Sequence, residues 1–210
     1  MTDRRALALF DLDGTLTRRD TLSDLLYRSF GAVDCLRAGL RLAPHLLGAA
    51  IGAVERDVAK VRLLRHFFGG MASGGFDRLA ADYAREHLPA LLRPAAEARL
   101  HWHLRQGHRV VVVSASAEDW IRPWAEPLGV EVLATRLARA NGCLTGDLEG
   151  PNCRGAEKVE RIRALLEPTA YRPVHAYGDS AGDHAMLALA DYPVYRGLRG
   201  REPEAAPATD

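Results

Sequence analysis

The chain of 210 residues carries 28 lysines and arginines against 27 aspartates and glutamates, a formal net charge of +1. This length supports one full core plus a modest insertion, and the balanced charge offers no global field for a nucleic-acid partner. Three scattered cysteines, Cys35, Cys143 and Cys153, form no Cys-x-x-Cys pair, which fits a reduced, cytoplasmic protein with neither a disulfide framework nor a cysteine zinc site. The start, Met1-Thr-Asp-Arg-Arg5, leads into no apolar core of signal-peptide length, so export is not expected.

The first element is the most informative. Ala6-Leu-Ala-Leu-Phe10 is an apolar run that ends abruptly in Asp11-Leu12-Asp13-Gly14-Thr15. Too short for a typical helix, it reads as a buried parallel strand, and ligands in open α/β sheets bind just beyond the carboxyl ends of such strands. Two carboxylates this close repel, so the pair calls for a cation or a shared proton. Gly14 lets the chain turn away from the crevice. Taken alone, the motif also fits a strand exit with two solvated aspartates.

Helices are predicted next over 21–30, 33–53, 55–68 and 76–87, with breaks at Gly69-Gly70 and Ser73-Gly74-Gly75. Leu36, Leu40, Ala43, Leu47, Ala50, Ile51 and Val54 share one helical face, while Arg37, Arg41, His45 and Arg56 share another. The charge-free stretch 42–54 falls short of the ~20 apolar residues that span a bilayer, and such a stripe is expected to pack its helix onto neighbours.

The core is expected to resume near Leu88. Pro94 opens a helix that Gly107 closes, and a strand over 110–113 runs into Ser114-Ala-Ser116. A short helix over 117–126, a strand over 131–134 and a hairpin centred on Asn141-Gly142 follow. A helix over 155–166 carries Lys158 in its first turns. The strand over 173–177 leads to Gly178-Asp179-Ser180-Ala-Gly182-Asp183, then a helix over 183–190, a strand near 194–195, and an end from 200 expected to be disordered. His101 and His103, two apart on a helix, do not share a face and are expected at the surface. Trp102, Trp120 and Trp124 are expected to pack, the last two near enough to the Ser114 loop to wall a site.

This pattern predicts an α/β fold, a doubly wound Rossmann-like parallel sheet with an inserted all-helical cap. The core would take 1–17 and 88–198, the cap 18–87 and a tail 199–210. Ser114 offers a hydroxyl, Lys158 a compact positive charge, and Asp179 and Asp183 two further hard oxygen acids. With Asp11 these provide a carboxylate nucleophile, a phosphate clamp and a Mg²⁺ site, sufficient for phosphoryl transfer through an aspartyl-phosphate. Ser114 lacks a Gly-x-Ser-x-Gly elbow and no Gly-x-x-x-x-Gly-Lys loop occurs, which argues against a serine hydrolase and a nucleoside triphosphatase. A non-catalytic, phosphorylation-responsive protein stays open, because receiver domains also place acids at strand ends. Asp13, which an enzyme needs as acid and base, discriminates between the two.

The order Asp-x-Asp-Gly-Thr, strand-end Ser, Lys and Gly-Asp-x-x-x-Asp resembles the haloacid-dehalogenase-like phosphatase superfamily, from about Ala6 to Arg196. The insertion after the first motif is similar to the subgroup containing phosphoserine phosphatase. Thr17-Arg-Arg-Asp-Thr21, Val113-Ser-Ala-Ser116, Pro123-Trp124-Ala125, Asn152-Cys-Arg-Gly155 and Gly178-Asp-Ser180 look closer to a bacterial branch that includes phosphatidylglycerophosphatase C. The resemblance implies that Asp11 is the nucleophile and a Mg²⁺ ligand. Asp13 would be the acid and base, with its backbone carbonyl on the metal. Ser114 and Lys158 would hold phosphoryl oxygens, Asp179 would bind Mg²⁺, and Asp183 would complete the shell directly or through water.

Departures from the phosphoserine phosphatase pattern bear on substrate. Asp20 stands where those enzymes carry a glutamate facing the amine, Lys60 where they carry an arginine facing the carboxylate, and Gly182 where they carry asparagine. Lysine does not reproduce a bidentate arginine fork. Ser116 and Arg154 are further candidate substrate contacts. The implied substrate is phosphatidylglycerophosphate, with phosphoserine or another small organic phosphate as the alternative. A lipid substrate would bring membrane-surface contact through the 36–54 stripe. A monomer or homodimer is expected.

Overall fold

The computed structural model describes residues 5–51 and 55–199. In chain order the elements are β1 (Leu7–Phe10), α1 (Thr21–Ala50), α2 (Arg56–Phe68), α3 (Ser73–Glu86), α4 (Leu88–Leu91) and α5 (Pro94–Arg105). Then come β2 (Arg109–Ala117), α6 (Arg122–Ala125), β3 (Glu131–Thr135), β4 (Leu137–Ala140), β5 (Cys143–Leu148) and α7 (Ala156–Leu165). β6 (Val174–Gly178), α8 (His184–Leu187) and β7 (Tyr192–Tyr195) complete the fold.

Five strands form a parallel sheet in the order β3-β2-β1-β6-β7. The winding reverses at β1, the kind of switch point beside which α/β sheets bind ligands. Register explains why the motifs converge: Phe10 lies level with Val112 on one side and Tyr177 on the other. Asp11, Ser114 and Asp179 therefore leave the same edge of the sheet.

Both faces of the sheet are covered, which is why its strands read as continuous apolar runs rather than alternating ones. Ala8, Phe10, Val110 and Val112 pack with Ala96 and Leu100 of α5 and with Trp120 and Trp124. Leu7, Leu9, Val111, Val113, Val174 and Ala176 face the opposite way, onto Ile162 of α7 and Met186 and Leu187 of α8. The period-2 alternation of a strand thus divides one apolar run between two cores.

The helices α1 to α3 arise between β1 and α5, in the stretch read as an insertion. α1 is broken at Gly31 (φ 79°, ψ 172°), matching the two helices predicted there; the end of the second, at 52–53, lies outside the described residues, as does the tail from 200 onward. Ser73-Gly74-Gly75, expected as a break, is instead the first turn of α3, anchored where Ser73 N donates to Gly142 O at 2.8 Å. The expected helix over 117–126 divides into a 3₁₀ turn at Glu118–Trp120, the short α6, and a second 3₁₀ turn at Glu126–Leu128. Pro123 and Pro127 supply no N–H to a continuous helical ladder. The strand expected over 110–113 continues through Ser114 and Ser116, with its register to β3 shifting between Ser114 and Ala117.

Two further expectations are corrected. The apolar stripe of α1 does not pack inward: Leu36, Leu40, Leu47 and Ile51 are 65, 70, 65 and 81% exposed, while Ala38 is buried. His103 is not a surface residue but fully buried on the sheet-facing side of α5, with Nε2 2.9 Å from the Tyr177 hydroxyl. Burial, reinforced by His175 and His108, holds its imidazole neutral, far below the usual histidine range. No helix among the described residues is long and apolar enough to cross a membrane.

Candidate active site

Asp11 follows β1 directly and is locked in place by its backbone, whose N–H donates to Tyr177 O at 2.9 Å. Lys158, in the first turn of α7, is buried and spends its ammonium on three acceptors. These are Asp11 Oδ1 at 2.7 Å, Asp183 Oδ1 at 2.6 Å and Val113 O at 2.7 Å. An ammonium has three donors, so all are used. Burial opposes the charge on Lys158, but Asp11 and Asp183 outweigh it and raise the pKa. Burial pushes Asp11 up to about 6 against the pull of Lys158. Asp183 is also penalised by burial, yet Lys158 and hydrogen bonds from Lys158 and Ser180 hold it below the ordinary carboxylate range.

Asp183 is saturated. Its Oδ2 accepts from Asp179 N at 3.1 Å, Ser180 N at 2.9 Å and Ser180 Oγ at 2.8 Å, while Oδ1 takes Lys158. It therefore ties the Asp179 loop to the lysine. Asp179 in turn lies against Gly14, where an added Cβ would come within 2.4 Å of Asp179 Oδ2 and where φ is +83°. The motif glycine is required twice over, for the turn and for the approach of the second acid.

Carboxylate oxygens of Asp11, Asp179 and Asp183 lie within 4.8 Å of one another. Three acids beside one lysine leave net negative charge in a desolvated place, and all-oxygen donors suit a hard divalent cation such as Mg²⁺. The donor set fits the metal expected from the sequence.

Asp13 accepts from Thr21 N, at the start of α1, at 2.7 Å through Oδ1, and from Ser116 Oγ at 2.6 Å through Oδ2. Behind it the Thr21 hydroxyl lies 3.1 Å from Ser116 Oγ and accepts from Trp120 Nε1 at 3.2 Å. Burial pushes Asp13 up to about 7, with Asp20 adding to the rise and the Ser116 hydrogen bond opposing it. A carboxyl poised near neutrality can both give and take a proton. Ser114 Oγ is buried and accepts from Ser116 N at 3.0 Å.

Asp11, Asp13, Ser114, Ser116, Lys158 and Asp183 line a cleft of about 490 Å³, which also takes in Asp20, Lys60, Arg154 and Ala49 of α1. Asp20 has a local structural role: its Oδ1 caps α1, accepting from Ser23 N at 2.7 Å and Ser23 Oγ at 2.6 Å. Lys60 Nζ reaches Ala115 O at 2.5 Å and Asn152 Oδ1 at 2.7 Å, bracing the Ser114 loop against the 152 loop. Burial pulls it down to about 8, with Asp57 opposing. Ser116 is held on Asp13 rather than pointing only at the cleft. Arg154 folds over Gly182, where a Cβ would stand 2.9 Å from its Cγ and 3.0 Å from its Nε. Glycine at 182 thus makes room for the arginine.

Thr21, Thr135, Asn152 and Asp57 support the site, and the sequence pattern does not mark them. Asn152 Nδ2 donates to Asp57 Oδ1 at 2.7 Å, and the Thr135 hydroxyl, with one proton to give, lies 2.8 Å from Asn152 Oδ1 and 2.7 Å from Ala115 O. No local spacing links these residues; the one signal was the Asn152-Cys-Arg-Gly155 wording.

A family model for haloacid dehalogenase-like hydrolases matches residues 8–188. The chain belongs to the haloacid dehalogenase-like hydrolase family. Among its relatives, the protein CicA of Caulobacter vibrioides is 38% identical over 204 residues, covering 93% of this chain and 87% of that protein. A probable phosphatase of Mycobacterium tuberculosis is 31% identical over 213 residues (96% and 72%), and a phosphoserine phosphatase of Methanocaldococcus jannaschii 25% over 198 residues (90% and 84%). A Bordetella pertussis protein of unknown function has a similar structure, with TM-score 0.76 at 25% identity over 89% of this chain and 87% of its own. A phosphoserine phosphatase structure with a phospho-aspartyl intermediate analogue shares the fold, with TM-score 0.62 at 21% identity over 90% and 84%. The α/β sheet fold and the enzyme class expected from the sequence are borne out, and the family with its phosphatase-named relatives supports phosphatase activity.

Proposed function

We propose that the chain is a Mg²⁺-dependent phosphomonoester phosphatase that works through a phosphoaspartate on Asp11. The observation that carries this reading is the buried Lys158 joining Asp11 to Asp183 at the edge where β1, β2 and β6 end. With Oδ1 of Asp11 held by the lysine, the other oxygen attacks phosphorus. The Asp13 carboxyl protonates the leaving alkoxide, then takes a proton from the water that hydrolyses the acyl phosphate. Ser114 holds a phosphoryl oxygen, and Lys158 takes a second by exchanging its present bond to the Val113 carbonyl for it. Asp11, Asp179 and the Asp13 carbonyl would hold Mg²⁺, with Asp183 acting through water because its oxygens are spent. Bound there, the cation neutralises phosphoryl charge. Residues 18–87 act as the cap, and Asp20, Lys60, Ser116 and Arg154 face the substrate from the cleft wall.

The substrate we infer is a lipid phosphate of the phosphatidylglycerophosphate kind. The exposed Leu36, Leu40, Leu47 and Ile51 run along α1 toward Ala49, which lines the cleft, and Arg37 and Arg41 are exposed on the same helix. An apolar stripe flanked by arginines suits an anionic membrane surface, from which a headgroup phosphate enters the cleft while its acyl chains stay in the bilayer. The opposite charges of Asp20 and Lys60 in one cleft favour phosphoserine as the second reading. The test is kcat/KM on phosphatidylglycerophosphate in mixed micelles against phosphoserine, with Mg²⁺. A preference for the lipid of tenfold or more is expected; a preference for phosphoserine overturns the lipid reading and leaves the phosphatase chemistry standing.

A further inference from the structure

Three histidines meet at the edge of the sheet opposite the acidic site. His103 comes from the last turn of α5, His108 from the turn that enters β2, and His175 from the start of β6. Each offers a ring nitrogen within 4.8 Å of the others. His103 Nδ1 lies 2.8 Å from His108 Nδ1, and the His103 and His175 ring centroids are 4.8 Å apart. Two nitrogens at that separation share one proton, so two lone pairs and a third imidazole already point into one small volume.

We propose that His103, His108 and His175 form a binding site for a divalent transition ion of the Zn²⁺ class. Imidazole nitrogens select Zn²⁺, Co²⁺, Ni²⁺ or Cu²⁺ over Mg²⁺. Zn–N bonds of about 2.0–2.1 Å in a tetrahedral site set ligand nitrogens roughly 3.3 Å apart. The His103–His108 pair must open by about half an ångström, and His175 must close in by a rotation of its ring.

The surroundings are arranged as such a site needs. His103 Nε2 lies 2.9 Å from the Tyr177 hydroxyl; donating there, it leaves Nδ1 as the coordinating atom, the way an outer partner orients a ligand imidazole. Trp102 meets the His103, His108 and His175 rings edge-on, and Tyr192 stacks on His175, walling the volume with aromatic faces. His103 and His175 are buried while His108 is half-buried, so the fourth position opens on the His108 side, where water completes the shell. Asp191, whose Oδ2 accepts from Val174 N at 2.8 Å, brings negative charge near His175. Arg99 over Trp102 opposes it from the helix side.

Such an ion binds α5, the 108 turn and β6 together at the edge remote from catalysis, so its effect is on stability. The experiment uses the full chain, stripped with chelator, held in excess Mg²⁺ and titrated with Co²⁺ and then Zn²⁺. One equivalent of Co²⁺ is expected to give the visible absorption of a four-coordinate site, displaced by Zn²⁺. At a hundredfold excess over Kd, Zn²⁺ raises the melting temperature by about 5–10 °C. Asp179→Asn keeps both effects, which separates this site from the acidic one, and His108→Ala loses both. His108→Gln repeats the test if the alanine variant unfolds. Absence of the band in the wild-type chain, its persistence in a folded His108 variant, or its loss in Asp179→Asn overturns the proposal.

Discussion

Ser116 Oγ donates to Asp13 Oδ2 at 2.6 Å, joining two residues 103 positions apart. The serine hydroxyl is itself backed by the Thr21 hydroxyl and, behind that, by the Trp120 indole. This line of side chains fixes the rotamer of the carboxyl assigned to proton transfer. Removing Ser116 leaves Asp13 its chemistry but not its aim. In Ser116→Ala, kcat toward alkyl phosphates should fall about tenfold, the scale of one charge-assisted hydrogen bond. The loss should be smaller toward nitrophenyl phosphate, and Ser116→Thr should recover part of it. Equal losses on both substrates would mean that Ser116 serves the phosphoryl group instead.

Asp13→Ala should cost roughly 10²–10⁴-fold toward alkyl phosphates, the usual worth of general acid-base assistance. An activated leaving group needs little protonation, so nitrophenyl phosphate should suffer much less. The ratio of the two rates in wild-type and variant enzyme measures the effect. It also separates an enzyme from a phosphorylation-responsive protein, in which Asp13 would have no such leverage.

Asp11→Asn should abolish turnover of every phosphomonoester while leaving the far-ultraviolet dichroism unchanged. Chelation should silence the wild-type enzyme, and Mg²⁺ should restore it. Turnover of nitrophenyl phosphate by the purified variant would remove Asp11 from its role.

Among the described residues Lys158 is the sole ammonium between the two buried carboxylates Asp11 and Asp183, so Lys158→Ala strands both. Breaking a buried pair in this way typically costs about 3–5 kcal/mol, read as a lowered urea midpoint. Converting Asp183 to Asn in the same chain should recover part of the loss, because one of the stranded charges is then gone.

Gly14→Ala tests the contact between the first and last motifs. The added Cβ meets Asp179 Oδ2 at 2.4 Å in a backbone with φ +83°, so either the turn or the acid must move. The expected outcome is a destabilisation of about 1 kcal/mol or more together with a weaker Mg²⁺ dependence, measured as the concentration giving half-maximal rate. A change in stability alone would show that Asp179 is not held by this contact.

The chain's own pattern determined the sheet and which side chains meet at its edge. Apolar runs closed by Asp11, Ser114 and Asp179 could only be strands buried on both faces, and parallel strands present their ends along one edge. The acids, the serine and the lysine were legible because each is tied to an element end that local sequence marks. Tertiary structure alone decided what depends on distant partners. Asp20 caps α1, Lys60 braces two loops, and Asp183 is consumed by the lysine and its own loop, so residue type did not reveal orientation. The network of Thr135, Asn152 and Asp57 joins stretches 17 to 95 residues apart, which no local spacing encodes. Helical periodicity identified the apolar face of α1 but not whether anything covers it, because a stripe looks the same packed or bare. For the same reason two histidines on a helix gave no sign that His175, far along the chain, would complete a cluster with one of them; only the register of β6 beside β1 brings it there.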